Sequence, residues 1–142
     1  MKHEDCLFCK IIEGEVPAAK VYEDENVYAF MDISQVTDGH TLVIPKVHTT
    51  DIYDMDEQVA SEIFATVPKI AQAIKAAKKP AGLNILNNNE IMAGQSVFHF
   101  HLHLIPRYSE DDGFNVKWVT RNDHYSMEEL QEKADKIASE IK

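Results

Sequence analysis

Residues 97–106 read Val97-Phe98-His99-Phe100-His101-Leu102-His103-Leu104-Ile105-Pro106. Three histidines alternate with apolar residues, and successive side chains of an extended strand point to opposite faces. The pattern therefore predicts a strand with His99, His101 and His103 on one face, roughly 6–7 Å apart, and its apolar side chains on the core-facing side. Such a row of imidazoles suits metal binding, proton transfer or attack on phosphorus. Histidines clustered on the surface without a function are the alternative.

The rest of the chain predicts an α+β fold around this strand. Four further strands are expected over residues 21–23, 27–32, 40–45 and 83–87, and short connections favour antiparallel neighbours. Apolar residues spaced by three and four predict a long helix over 56–79, which Pro68 should kink or split. A capping box at Ser126 and Glu129 opens a C-terminal helix. We therefore predict a five-stranded antiparallel sheet packed by the long helix and the C-terminal helix.

Length and charge limit the possible partners. The 142 residues suit one domain with one core. A net charge of −10 argues against a nucleic-acid polymer, because backbone phosphates favour a basic surface. No apolar run approaches the roughly 20 residues that span a bilayer, and the N-terminus shows no signal-peptide pattern. The expected location is the cytoplasm, without a membrane partner.

The only two cysteines form a Cys-x-x-Cys pair, Cys6 and Cys9. This spacing is typical of half a zinc site or of a redox motif, and inert thiols are a third possibility. The redox motif follows a strand in a βαβ unit, and no strand fits before Cys6. A zinc site needs two more ligands, for which histidine is the best source.

The segment 94–105 resembles the histidine triad (HIT) family, whose signature is His-x-His-x-His followed by two apolar residues. In many members a Gly-Gln-Ser/Thr-Val lead precedes it, as Gly94-Gln95-Ser96-Val97 does here. Segments 30–33 and 39–48 also resemble family segments, in the family order. The similarity covers about residues 6–106 of a single domain, 1–142, and leaves 107–142 as a C-terminal extension. The extension is expected to cover the sheet or the boundary between subunits.

The resemblance implies an enzyme that cleaves nucleoside phosphoramidates or dinucleoside polyphosphates. His101 would attack the α-phosphorus, and water would release a purine nucleoside monophosphate from the nucleotidyl-histidine. His103 would stabilise charge or donate a proton, and His40 would support the triad from a neighbouring strand. Family members are homodimers, so a homodimer is expected. A nucleotide-binding regulatory module with little catalytic role is the alternative function.

Several further residues match family positions that bind substrate. Asp32 is expected to accept hydrogen bonds from ribose hydroxyls, although it also suits a cap at a strand end. Asn88 is expected near the substrate, with a plain turn residue as the alternative and with its neighbours Asn87 and Asn89 within a one-place error. His40 also fits a solvated strand start. The expected substrate-binding residues are Asp32, Ile33, Asn88, Gln95, Ser96 and His103.

The resemblance also implies a structural zinc ion. Its ligands in one branch of the family resemble Cys6, Cys9, His48 and His99, a closed tetrahedral set without an open position for water. His48 also suits an ordinary loop. A catalytic zinc held by His99, His101 and His103 is the competing hypothesis. It would leave the cysteines without a role, and three residues in a straight row hardly reach one ion.

Overall fold

The computed structural model describes residues 3–142 of the chain. These residues form three α-helices and five strands in an α+β order, with two short 3-10 turns in the loops. The elements are α1 (Leu7–Ile12), β1 (Lys20–Glu23), β2 (Val27–Met31), β3 (Thr41–Pro45), the turn Ile52–Asp54, α2 (Glu57–Lys78), β4 (Gly82–Leu86), the turn Ile91–Ala93, β5 (Leu102–Arg107) and α3 (Met127–Ala138).

The five strands form one antiparallel sheet in the order β1-β2-β3-β5-β4. The last strand in sequence inserts between β3 and β4, so β5 is a central strand and β4 an edge. His103 on β5 pairs with Leu42 on one side and with Leu86 on the other. This arrangement confirms the predicted sheet and places a histidine at its centre.

Helix α2 covers one face of the sheet. Asp56 caps its N-terminus by accepting a hydrogen bond from the Val59 N–H at 2.9 Å, and Lys79 ends it in the left-handed conformation. The helix continues across Pro68, so the predicted split does not occur. Neither α2 nor any other helix within residues 3–142 is both long and apolar enough to cross a membrane. The core of this face comprises Val27, Ala29, Val43, Ile63, Val67, Ile70, Ile74, Phe100, Leu102 and Leu104.

Helix α1 packs against the opposite face of the sheet. Cys6 caps this helix, because its sulfur accepts a hydrogen bond from the Cys9 N–H at 3.4 Å. A second apolar cluster lies beneath the helix and consists of Phe8, Ile11, Tyr28, Phe30, Leu42 and Ile44. The short α1 covers this face only in part, so a cavity remains beside it.

The histidine-rich segment differs from its predicted form. Strand β5 begins at Leu102, so His99 and His101 precede the strand and only His103 belongs to it. The Phe100 N–H donates to the Thr49 carbonyl, in the loop after β3, instead of to a strand partner. Phe98 is 46% exposed and does not join the core. The alternation of histidine and apolar residues therefore reflects separate contacts of the individual side chains. The prediction of one continuous strand was wrong.

The C-terminal helix forms as predicted, but it does not pack on the sheet. The Ser126 hydroxyl accepts a hydrogen bond from the Glu129 N–H at 3.1 Å, as in the expected capping box. Every residue from 115 to 142 is nevertheless exposed. The contact that anchors the start of the extension is the ion pair between Arg107 and Asp112 at 2.8 Å. Among residues 3–142, no surface buries the apolar side of α3.

Candidate functional site

His101 is a buried imidazole whose orientation is fixed by the backbone. Its Nδ1 lies 2.8 Å from the carbonyl oxygen of His99, so Nδ1 carries the proton and donates. The lone pair therefore resides on Nε2. Burial is the main cause that lowers the pKa of His101, which keeps the ring neutral. A neutral imidazole with a free Nε2 lone pair is a competent nucleophile.

His103 and His40 form a hydrogen-bonded pair of imidazoles. The Val36 N–H donates to His40 Nδ1 at 3.3 Å, so His40 carries its proton on Nε2. That proton points to His103 Nδ1 at 2.9 Å. His103 therefore carries its proton on Nε2, the nitrogen that does not face His40, and its ring centroid lies 5.0 Å from that of His101.

The burial of His103 decides which chemistry this residue offers. Desolvation lowers the pKa of His103 to about 4, and the nearby rings of His101 and His40 act in the same direction. Burial likewise lowers the pKa of His40, against the opposing effect of the Asp32 carboxylate. Both rings are therefore neutral at pH 7. In the absence of a bound anion, His103 is a neutral hydrogen-bond donor.

A cavity of about 340 Å³ adjoins both histidines on the α1 face of the sheet. Its wall is apolar on one side, where Phe8, Ile11, Phe30 and Leu42 line it, and Asp32, Ile33, Ser96, His101 and His103 also line it. Asp32 accepts a hydrogen bond from the Ser34 N–H at 2.7 Å, and its second oxygen lies 3.5 Å from His40 Nε2. The Ile33 side chain is almost fully exposed at this cavity. Five of the residues predicted to contact substrate or catalyse its reaction are thus brought together.

Gln95 and Asn88 lie outside the residues that line this cavity. The Gln95 amide donates to the carbonyls of Thr50 and Val97 and accepts from the Glu90 N–H. Both of its polar atoms thus bond backbone groups, in its own loop and in the loop after β3, which favours a structural role over the expected phosphate contact. The Asn88 amide lies near Gly94, with Nδ2 3.7 Å from the point where a Cβ at that position would stand.

A second cluster brings the two cysteines together with two histidines. Cys6 Sγ lies 3.4 Å from His99 Nδ1, and Cys9 Sγ lies 3.4 Å from His48 Nδ1 and 3.6 Å from His99 Nδ1. The four ligand atoms all lie within 4.8 Å of one another. His99 Nε2 donates to the Pro45 carbonyl at 2.8 Å, which leaves Nδ1 unprotonated toward the sulfurs.

These distances fit a tetrahedral metal site. With bond lengths of about 2.3 Å to sulfur and about 2.1 Å to nitrogen, tetrahedral zinc separates the two ligand types by about 3.6 Å. Desolvation lowers the pKa of His99 to about 4, so its ring is available as a neutral ligand. The triad therefore divides, because His99 joins the cysteine cluster while His101 and His103 line the cavity. This division disfavours one ion held by all three histidines.

Sequence reasoning missed two groups that position the triad. The Asn87 amide donates to the carbonyl of His101 at 3.0 Å, and the Pro45 carbonyl orients His99. A backbone carbonyl leaves no sequence signal. The run Asn87-Asn88-Asn89 was visible, but sequence spacing does not show that Asn87 contacts the main chain of His101.

Comparison with known proteins shows the family of this chain. The HIT domain model matches residues 13–110. The chain is 56% identical to "Protein hit" of Bacillus subtilis over 97% of this chain and 95% of that protein. It is 36% identical to a protein named adenosine 5'-monophosphoramidase hnt1 of Schizosaccharomyces pombe, over 96% of this chain and 98% of that protein.

Solved structures agree with the sequence comparisons. A HIT family protein from Bacillus anthracis superposes with a TM-score of 0.95 at 60% identity, over 98% of this chain and 99% of the other. A zinc-bound histidine triad family protein from Mycobacterium smegmatis superposes with a TM-score of 0.73 at 37% identity, covering 95% of this chain and 96% of the other. The match of the domain model, the relatives and the fold together show that this chain belongs to the HIT domain family.

Proposed function

We propose that this protein is a nucleotide hydrolase whose His101 Nε2 attacks the α-phosphorus of a purine nucleoside phosphoramidate or dinucleoside polyphosphate. The observation that carries the proposal is the hydrogen bond from His101 Nδ1 to the His99 carbonyl. It fixes the tautomer that leaves Nε2 unprotonated beside the cavity. A relative named adenosine 5'-monophosphoramidase supports the choice of substrate class.

The reaction proceeds by two displacements at phosphorus. The Nε2 lone pair forms a phosphorus–nitrogen bond while the bond to the leaving amine or phosphate breaks, and the leaving group departs with the electron pair. An amine leaving group takes up a proton from solvent in this step. Water then attacks the nucleotidyl-histidine, the phosphorus–nitrogen bond breaks with its electron pair returning to Nε2, and the attacking water releases a proton to solvent. His103 Nε2–H donates a hydrogen bond to the phosphoryl oxygen, which stabilises the developing charge.

The cavity suits the remaining parts of a nucleotide. The apolar wall of Phe8, Ile11 and Phe30 accommodates a purine base, and the Asp32 carboxylate accepts hydrogen bonds from ribose hydroxyls. Ile33 contacts the sugar from the rim of the cavity. Ser96 and Asn88 remain proposed contacts to the phosphate or to the leaving group. Because the chain carries a net charge of −10, these neutral donors must bind the anion locally.

We further propose that Cys6, Cys9, His48 and His99 hold a structural zinc ion. The set is closed, so the ion would bind the N-terminal segment to the sheet and orient His99 without binding substrate. The exposed apolar residues Leu130 and Ile137 of α3, with Ile141 just beyond its end, support a homodimer in which a second copy covers them. The cytoplasmic location and the domain limits at residues 1 and 142 stay predictions.

The test compares wild type with His101→Ala on adenosine phosphoramidate. His124→Ala is the matched control, because this histidine is exposed and lies outside the cavity. Turnover should be abolished in His101→Ala and retained in His124→Ala, and wild type quenched at alkaline pH should carry a nucleotidyl group by intact mass, because the phosphorus–nitrogen bond is labile in acid. Undiminished turnover in His101→Ala would overturn the proposal. Binding of nucleoside monophosphate without turnover in wild type would instead indicate a regulatory module.

A further inference from the structure

An asparagine side chain contacts the backbone of the proposed nucleophile. Asn87 Nδ2 donates to the carbonyl oxygen of His101 at 3.0 Å. The ladder between β4 and β5 ends at the pair Leu86 and His103, so Asn87 is the first residue beyond it. Its side chain therefore supplies a hydrogen bond to the residue just before β5, where backbone pairing has stopped.

A second asparagine fixes the orientation of the Asn87 amide. Asn89 Nδ2 donates to Asn87 Oδ1 at 2.6 Å, and Asn89 Oδ1 accepts from the Ile52 N–H at 2.8 Å. Since Asn87 Oδ1 is occupied as an acceptor, its NH₂ group must face His101. Asn88 lies between them, with its side chain against Gly94. Asn87 and Asn89 are thus bonded to each other, whereas Asn88 lies near Gly94.

These bonds connect His101 to the stretch of chain between Pro45 and Ile52, which also holds His99 and Phe100. Phe100 N–H donates to the Thr49 carbonyl at 2.6 Å, and His99 Nε2 donates to the Pro45 carbonyl at 2.8 Å. Ile52, where the asparagine pair ends, follows Thr49 in that loop. The segment 99–101 is consequently held on one side by loop backbone and on the other by the Asn87 amide.

We infer that Asn87, oriented by Asn89, is a positioning residue that aligns the His101 imidazole with the α-phosphorus. The inference rests on the proposed function and deepens it. The ring orientation depends on the main chain at residue 101, because His101 Nδ1 must reach the carbonyl two residues earlier. Without Asn87 that main chain is free to shift, and a misalignment of about 1 Å costs up to about 100-fold in rate. Asn87 does not line the cavity, so nucleotide affinity is independent of it.

The experiment measures Asn87→Ala, Asn89→Ala, the double variant and the control Asn122→Ala, which alters an exposed asparagine of the C-terminal extension. For each protein, rapid-quench kinetics gives the rate of His101 nucleotidylation, and titration gives the affinity for adenosine monophosphate. We expect the nucleotidylation rate to fall about tenfold or more in Asn87→Ala, with affinity unchanged within about twofold. Asn122→Ala should match wild type in both quantities.

The double variant tests whether the two asparagines act in series. If Asn89 acts only through Asn87, the double variant should be no slower than Asn87→Ala.

Asn87→Asp provides a second approach, because it keeps the shape but turns a carboxylate oxygen toward the His101 carbonyl. It should be at least as slow as Asn87→Ala. If Asn87→Ala proves unstable, Asn89→Ala still tests the inference, since it leaves the direct contact to His101 in place and should lower the rate by a smaller factor.

The outcomes separate this inference from the proposed function. A wild-type nucleotidylation rate in Asn87→Ala, with His101→Ala inactive, would overturn the positioning role alone. A parallel loss of affinity and rate would also overturn it, because it would indicate general damage to the site. Multiplicative effects of the two asparagine substitutions would contradict their action in series. Retained turnover in His101→Ala would instead remove the proposed function itself.

Discussion

The burial of His103 predicts that acid destabilises the protein through this side chain. Its pKa is lowered from 6.5 to about 4, chiefly by desolvation and further by His101 and His40. Between these two values the unfolded chain binds a proton that the folded chain excludes. The free energy of unfolding therefore decreases as the pH falls from about 6.5 to about 4, and the contribution of His103 is complete above that window.

The size of the effect follows from the width of the window. Each pH unit within it changes the free energy of unfolding by about 1.4 kcal/mol. Acidification from pH 7 to pH 5 crosses roughly 1.5 units of the window, which corresponds to about 2 kcal/mol. His103 is only half-buried, and partial exposure to solvent screens such effects. We therefore expect about 1–2 kcal/mol, a measurable part of a total stability of about 5–15 kcal/mol.

Urea unfolding at pH 7 and pH 5 tests this expectation in wild type, His103→Asn and His124→Asn. Asparagine cannot titrate but keeps a polar group beside His40, and His124 is an exposed control. The stability lost between the two pH values should be smaller in His103→Asn than in wild type by about 1–2 kcal/mol. His124→Asn should lose as much as wild type. Equal losses in wild type and His103→Asn would refute the reasoning.

Three further predictions concern the metal cluster, the ribose contact and the core. Cys9→Ser should reduce bound zinc well below one equivalent per chain by elemental analysis, because a hydroxyl replaces a buried thiolate; full retention would exclude Cys9 as a ligand. Asp32→Asn should raise the KM for adenosine phosphoramidate more than it lowers kcat, and an unchanged KM would contradict the ribose contact. Ile63→Ala should cost about 2–5 kcal/mol in urea unfolding, since Ile63 is fully buried. Phe64→Ala, at the half-exposed neighbouring residue, should lower the free energy of unfolding less. Equal losses in the two variants would contradict the assignment of Ile63 to the core.

The fold was largely predictable because its signals are local. The apolar spacing from Val59 to Ile74 located α2, and the cap at Ser126 located the start of α3. The start of β5 was not predictable, since burial of His99 against the cysteines produces the same alternation as a strand. The exposure of α3 was also missed, because an apolar helix face indicates burial without indicating whether its own chain or another buries it.

The candidate site was predictable where motif residues act through side chains. His101, His103, Asp32 and Ser96 all line one cavity, as the resemblance implied. Gln95 shows the limit, because its motif position indicated a phosphate donor but its amide bonds three backbone groups. The role of Asn87 depends on the register between β4 and β5, which sequence spacing does not contain.

The acceptor that sets the tautomer of His101 is a main-chain oxygen. Every amino acid, including proline, has a main-chain carbonyl oxygen, so no substitution at position 99 removes this acceptor. Replacement of His99 would act on the tautomer only indirectly, by loosening the local chain path. The protonation state of the proposed nucleophile therefore depends less on the identity of residue 99 than it would with a side-chain acceptor. Residues around the cavity can thus vary while His101 Nε2 keeps its lone pair.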